Sequence, residues 1–446
     1  MTVDYGNQNK AKPFNTRQAK SLWAGVLILT TGGIKSLEMT FIQNPSYFDK
    51  TAWFFASMVG AFIGYLLPYK FPNKFIFMFA SVLTAIDGII SASTTDIAPY
   101  EASSFLNGLA CGMTLLITIS EAMSDSAHRG RVSSLDSLGL TSGMFLYSVF
   151  NYIFFNVSWS VNFQLSQQLG VLAIVFSVLA FILSFKAVDS PISHLIESDE
   201  CGAFQNVMDL NGEKCASFDT YNHFEELKNF VVDDRRLSGG QRIGQGILPF
   251  FEIATVRTFF TLSSTSPIFF LTWSSSVLNR TAFAIIIYGA VRMLAACLSQ
   301  SILLDKLGRK PVLLLSTLFS GAAFILVGYF MMASYSINHI TITLWLLVCS
   351  QFFAGLGQGV SSVYMTEAFA PHVKHLFVFL VLVVENIAVV VALHFTGYNF
   401  VQNLSYAIGG GFIISFLITL FFLPETKKMS LKDAMDRFSK CFSIGC

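Results

Sequence analysis

Charge is the scarcest commodity in this sequence. Only 12% of its 446 residues are Asp, Glu, Lys or Arg, about half the roughly 25% of a soluble domain, so there is too little polar surface to face water on every side. What charge exists nearly cancels, to a net +1, which leaves no field to gather a polyanion such as nucleic acid. Cysteines number seven. Cys111, Cys297 and Cys349 fall inside apolar stretches and Cys201, Cys215, Cys441 and Cys446 in polar ones, a scatter that implies no disulfide framework. The last two follow an apolar stretch and are open to acylation, but neither stands fourth from the end as prenylation requires. No metal-ligand spacing, nucleotide loop or nucleophile constellation is present, and Gly239-Gly240 has no phosphate-binding frame. The expectation is a chain that is not an enzyme and holds no cofactor or metal.

What the chain has instead is apolar length. It is 53% hydrophobic with a mean hydropathy of +0.60, and a bilayer crossing takes about twenty apolar residues. Such runs fall at about 21–42, 51–69, 75–94, 100–121, 132–156 and 166–185, then at about 246–273, 282–304, 311–333, 341–366, 376–397 and 405–423. The first exceeds twenty residues and is followed by others, so it reads as a retained helix and not a cleaved signal. The predicted fold is an all-α membrane protein of twelve transmembrane helices in two six-helix repeats, with small cytoplasmic helices. Its parts are a cytoplasmic N-terminus (1–20), an N-terminal bundle (21–187), a cytoplasmic linker (188–245), a C-terminal bundle (246–423) and a cytoplasmic tail (424–446).

Lys and Arg are retained on the cytoplasmic side. With both termini inside, every basic residue falls there except Lys50 and Arg280 outside and Lys35, Arg257 and Arg292 within spans. The sequons at Asn156, Asn279 and Asn403 all land in predicted outer loops. Asn156 lies too close to the membrane, which leaves Asn279 and Asn403 as glycosylation candidates. In the linker, Phe224, Leu227 and Phe230 recur at helical spacing. In the tail, Ser430 with Asp433 reads as the N-cap of a further helix.

Three cytoplasmic features repeat between the halves. Tyr69–Lys74 answers to Asp305–Lys310, Glu121 with Arg129 to Glu367 with Lys374, and Val188–Pro191 to Pro424–Lys427. Duplicated bundles suit alternating access, in which charged helix ends latch one face and release it as the other closes. Glu121, Arg129, Asp305, Arg309, Glu367, Lys374 and Glu425 are the candidate gating residues. Ordinary helix-end charge is the plainer reading of any one of them alone.

These residues resemble the sugar porter family of the major facilitator superfamily. Leu303–Pro311 looks like its loop between helices eight and nine, Leu423–Lys427 like its signature after helix twelve, and Tyr364–Glu367 with Pro371 like its helix-ten exit. The chain is similar to a divergent member of the insect facilitated sugar or trehalose transporter type. The resemblance implies twelve helices around a central solute path in the plasma membrane. Departures are marked: Tyr69, Pro72 and Asn73 stand where the family has Asp, Gly and Arg, Ile192 and Lys374 replace Arg, and the helix-seven amides become Phe260–Ser266.

The resemblance places candidate solute contacts at Thr141, Thr261, Ser263, Ser266, Arg292, Gln358 and Asn386. Serine and threonine also commonly bond their own helix carbonyls. Ionisable groups at bilayer depth are paired or functional by default, and here they are Lys35, Glu38, Asp87, Glu252, Arg257, Arg292 and Glu385. Lys35 and Glu38 share a helix face and are expected to pair, while Glu38 is also the candidate for proton coupling. Arg292 is expected to be neutralised by Glu385 or Glu252, or else by an anionic solute. The function this supports is facilitative transport of a hexose, disaccharide or polyol by alternating access, with proton symport through Glu38 left open. The alternatives are an organic-anion carrier using Arg292 and a non-transporting sensor of the same fold. The implied partners are a small-molecule solute and the bilayer, with no nucleic acid.

Overall fold

The computed structural model describes residues 17–38, 47–94, 96–121, 129–156, 164–211, 216–332, 336–394, 398–427 and 429–444. Among these residues there are helices and no strands, as lipid requires, because a helix satisfies its own backbone N–H and C=O groups. The first six crossings are α1 (Arg17–Glu38), α2 (Tyr47–Leu66), α3 (Asn73–Ser93), α4 (Ile97–Ser120), α5 (Arg129–Ser133) running into α6 (Leu135–Asn156), and α7 (Leu165–Ser184). Three insert helices follow, α8 (Pro191–Ile196), α9 (Glu200–Asn211) and α10 (Phe218–Arg236). The seventh crossing is broken into α11 (Gly239–Leu262) and α12 (Ser266–Leu278). The eighth is α13 (Ala284–Leu298), continued through a π-turn at Ser299–Leu303 into α14 (Leu304–Lys306). Then come α15 (Arg309–Met332), α16 (Ile337–Glu367), α17 (Lys374–His394), α18 (Tyr398–Phe421) and the tail helix α19 (Leu431–Ile444).

Lipid tails are as apolar as leucine, so membrane helices associate through close packing and not through exclusion of water. The sequence supplies glycine where backbones meet. A Cβ on Gly33 of α1 would stand 2.1 Å from the Leu140 carbonyl oxygen, and one on Gly143 of α6 would stand 2.1 Å from that of Thr30. Any larger residue at either position forces the two helices apart. Within the first half α2 lies on α4, α3 on α7 and α1 on α6; within the second, α15 lies on α16 and α18. The halves meet along two seams, α6 against α13 and α2 against α17. Large apolar side chains such as Ile89, Ile182 and Val391 stay exposed on the outside of the bundle, where lipid covers them.

Outside the bundle, α8, α9, α10 and α19 build a separate small core from Ile192, Leu195, Val207, Phe224, Leu227, Phe230 and Leu431. Ser217 caps α10 by accepting from the Thr220 N–H at 3.2 Å, and Ser430 caps α19 by accepting from the Asp433 N–H at 3.1 Å. Lys432 of the tail pairs with Asp233 of the insert. Insert and tail therefore form one helical cluster on one face of the molecule.

Candidate solute site and its gates

The break in the seventh crossing organises the centre of the molecule. Pro267 has no N–H, so the Ser263 carbonyl loses the donor that a continuous helix would offer four residues on. Gln351 of α16 fills the gap, donating from Nε2 to the Ser263 oxygen at 3.0 Å. Arg292 of α13 takes the neighbouring free end, donating from Nη2 to the Phe260 carbonyl at 3.1 Å and to Gln358 Oε1 at 2.6 Å. Its Nη1 donates to Gln351 Oε1 and to Ser263 Oγ, and its Nε has no partner. The guanidinium is wholly buried.

The expected carboxylate partner of Arg292 is thus replaced. Every group it bonds is neutral, and the compensating field comes from the C-terminal end of α11, the negative end of a helix dipole. Glu385 is engaged elsewhere: it accepts from Arg257 Nε at 2.7 Å and from the Thr261 hydroxyl. Glu252 is buried in α11 away from any ion pair among the described residues.

Arg257 also crosses between the halves. It donates from Nη2 to Asp136 Oδ2 of α6 at 3.2 Å and from Nη1 to Ser362 Oγ at 2.7 Å, and Ser362 in turn donates to the same Asp136 oxygen at 2.8 Å. One buried cation therefore holds two carboxylates from different bundles. Further links cross on the insert side: Ser133 with Thr366 at 3.1 Å, Gln300 Nε2 to the Arg131 carbonyl at 2.7 Å and Lys374 Nζ to the Ser120 carbonyl at 3.0 Å. On the opposite face Ser266 Oγ donates across the halves to the Ser36 carbonyl at 3.2 Å.

The other candidate contacts are divided. Thr261, Ser263 and Gln358 join the buried polar centre around Arg257 and Arg292. Thr141 donates to the Ser137 carbonyl at 2.7 Å, and Asn386 to the Leu382 carbonyl at 2.8 Å, each within its own helix. Gln351 and Asp136 join this centre without a family motif to mark them. Gln351 lies seven residues before Gln358 on the same helix, so a shared face was the available signal.

In the first half, Lys35 pairs with Glu38 at 3.1 Å and also with Asp87 of α3 at 3.4 Å. Asp87 accepts from Ser91, Ser103 and Asn107. Two carboxylates thus face one ammonium, and Glu38 also lies beside the buried Tyr100 hydroxyl.

At the insert-side helix ends, Arg309 pairs with Glu367 at 2.7 Å, and Glu425 accepts from the backbone N–H groups of Arg309, Lys310 and Lys427. Glu121 accepts from the Ser190 N–H at 2.7 Å beside a cavity of about 160 Å³ lined by Asn73, Asp189 and His194. Burial and the nearby Asp189 hold its carboxyl up at about 7. The side chains of Arg129 and Asp305 lie outside the described residues. Of the sequons, the Asn279 nitrogen that would carry a glycan is buried while its Oδ1 accepts from Thr341, and Asn403 is exposed on α18.

Two helical bundles with a polar centre between them, one face clasped and the insert on that face, define a polytopic carrier of the major facilitator type. The chain belongs to the sugar (and other) transporter family, whose pattern matches residues 51–438. It is a membrane transporter and not an enzyme. Among solved structures it is similar to the major facilitator proton:xylose symporter XylE bound to 6-bromo-6-deoxy-D-glucose, at 15% identity and a TM-score of 0.74, covering 95% of this chain and 97% of that one. It is also similar to the partially occluded inward-open xylose transporter XylE from E. coli, at 15% identity and 0.68, covering 92% and 96%. The inward-open form of the same transporter follows at 17% identity and 0.63, covering 94% and 97%. A search of curated proteins finds no match.

Proposed function

We propose that this chain carries a sugar or related polyol across the plasma membrane by alternating access, with both termini and the insert in the cytoplasm. The observation that carries the reading is the broken seventh crossing. It gathers amides and hydroxyls of Ser263, Gln351 and Gln358 around a buried cation between two bundles, the chemistry that a hydroxylated solute exchanges bonds with. The family and the xylose transporters it resembles in fold support the same solute class. Thr261, Ser263, Ser266, Gln358 and Arg292 are the central contacts in this reading, with Thr141 and Asn386 second to them because their polar groups face their own helices. The glycan falls on Asn403 in preference to Asn279.

Uptake of labelled glucose, trehalose and sorbitol into proteoliposomes tests it. Flux above protein-free vesicles for at least one is expected, and none for all three would leave the non-transporting reading standing. Arg292→Gln should abolish sugar flux; loss of inhibition by anionic competitors in that variant, with sugar flux retained, would favour an organic-anion carrier instead.

Proton coupling at Glu38 is a second reading, favoured by the surplus carboxylate beside Lys35. It requires uptake that collapses with a protonophore and becomes insensitive to it in Glu38→Gln. Uptake indifferent to protonophore in the native chain removes it.

A further inference from the structure

On the face away from the insert, a cavity of about 380 Å³ opens along the seam between α6 and α12, within the roughly 300–1,000 Å³ of small-molecule sites. Asn151, Tyr152 and Phe155 line it from α6, Trp273 and Ser276 from α12, and Arg280 stands at its wall beyond the end of α12. The Phe155 and Trp273 rings lie 5.6 Å apart across the seam. Asn151 is the anomaly. It is fully buried, it lines this cavity, and neither its amide oxygen nor its amide nitrogen has a hydrogen-bond partner.

Buried amides are almost always satisfied, because leaving one bare forfeits the water it gave up. The anomaly continues inward. One turn deeper, the Tyr147 hydroxyl sits close enough to that amide to interact with it, and across the seam the Tyr288 hydroxyl is buried and unpartnered. The Phe269 ring lies between the two tyrosines, 5.4 Å from one and 5.8 Å from the other. One further turn along α13 is Arg292. Buried polar groups with no well-formed partner in another helix thus run from the cavity toward the central site, flanked by aromatic faces.

We propose that Asn151, with Phe155 and Trp273, forms an entry subsite for a hydroxyl-rich solute, which then passes Tyr147 and Tyr288 on its way to the centre. An amide offers one acceptor and two donors side by side, which suits vicinal hydroxyls. A large aromatic face suits the apolar C–H face of a sugar ring or polyol chain. This rests on reading the chain as a carrier of hydroxylated solutes, and it adds where such a solute first binds.

The test is Asn151→Leu, close in size and without polar atoms. With whichever of glucose, trehalose or sorbitol the native chain moves, KM from the cavity side should rise roughly tenfold, the cost of one lost solute hydrogen bond in a desolvated site. KM from the insert side should stay within about twofold, and thermal stability in detergent should hold or increase, because the bare amide is gone. An unchanged cavity-side KM, or a lower melting temperature that marks the asparagine as structural, overturns the subsite while leaving the carrier reading intact. If the native chain moves none of the three, that reading fails on its own, and tryptophan fluorescence titrated with the same three compounds decides the subsite. A saturable quench that disappears in both Trp273→Phe and Asn151→Leu supports it. No quench overturns it.

Discussion

Glu121 shows how much one missing side chain changes. Where the resembled family places an arginine, this chain has Asn73, and burial with the repulsion of Asp189 outweighs what the buried carboxylate at the end of α4 gains from the Ser190 N–H, Lys374 and Asn73. Its carboxyl is raised from an ordinary 4.5 to about 7. A carboxyl raised on folding binds more protons in the native state, so its stabilising contribution is full below about 4.5 and is lost as pH rises through about 7. Glu121→Gln should therefore melt higher than the native chain at pH 8, by on the order of 2 kcal/mol, with the gap closing by pH 5. A gap independent of pH would show that Glu121 does not titrate in this range. Residues of this kind were half legible: Glu121, Arg292 and Glu385 stand out in an apolar sequence because charge at depth is rare. Their partners did not, because Arg257 meets Asp136 and Glu385 at separations of 121 and 128 residues, which no local pattern encodes.

Among the elements, the seventh crossing is the one whose break has an assignable cause. Pro267 removes a donor, and Gln351 and Arg292 supply others from two different helices. Gln351→Leu should leave the Ser263 carbonyl and the guanidinium short of partners, a loss of about 1–3 kcal/mol, read as a lower melting temperature in detergent. Pro267→Ala in that background restores an N–H and should recover part of the loss, whereas strictly additive damage would deny the link between the proline and the amide. The sequence placed this crossing as one run of about 246–273. Hydropathy measures apolar length and is blind to a turn that keeps its backbone satisfied through side chains from elsewhere.

At the scale of the molecule, the bilayer made most of the architecture readable. Crossing length, the repeat between halves and the polar insert with its Phe224, Leu227 and Phe230 stripe are all set by solvent, and solvent preference is written locally in composition. Which face is shut was not readable, since it depends on pairs such as Ser133 with Thr366 that join different bundles. A Ser133→Cys, Thr366→Cys pair should form a disulfide under oxidation that arrests transport, and reductant should restore it. Full transport in the cross-linked protein would mean that these ends do not separate during the cycle.

The bond from Arg257 to Asp136 has a consequence for the pace of the cycle. An idle carrier must rupture it unaided to open its insert-side face, whereas a bound solute offers replacement contacts and eases the swing. Return journeys made empty should then be the slow leg, and vesicles preloaded with unlabelled solute should take up tracer faster than vesicles that start bare.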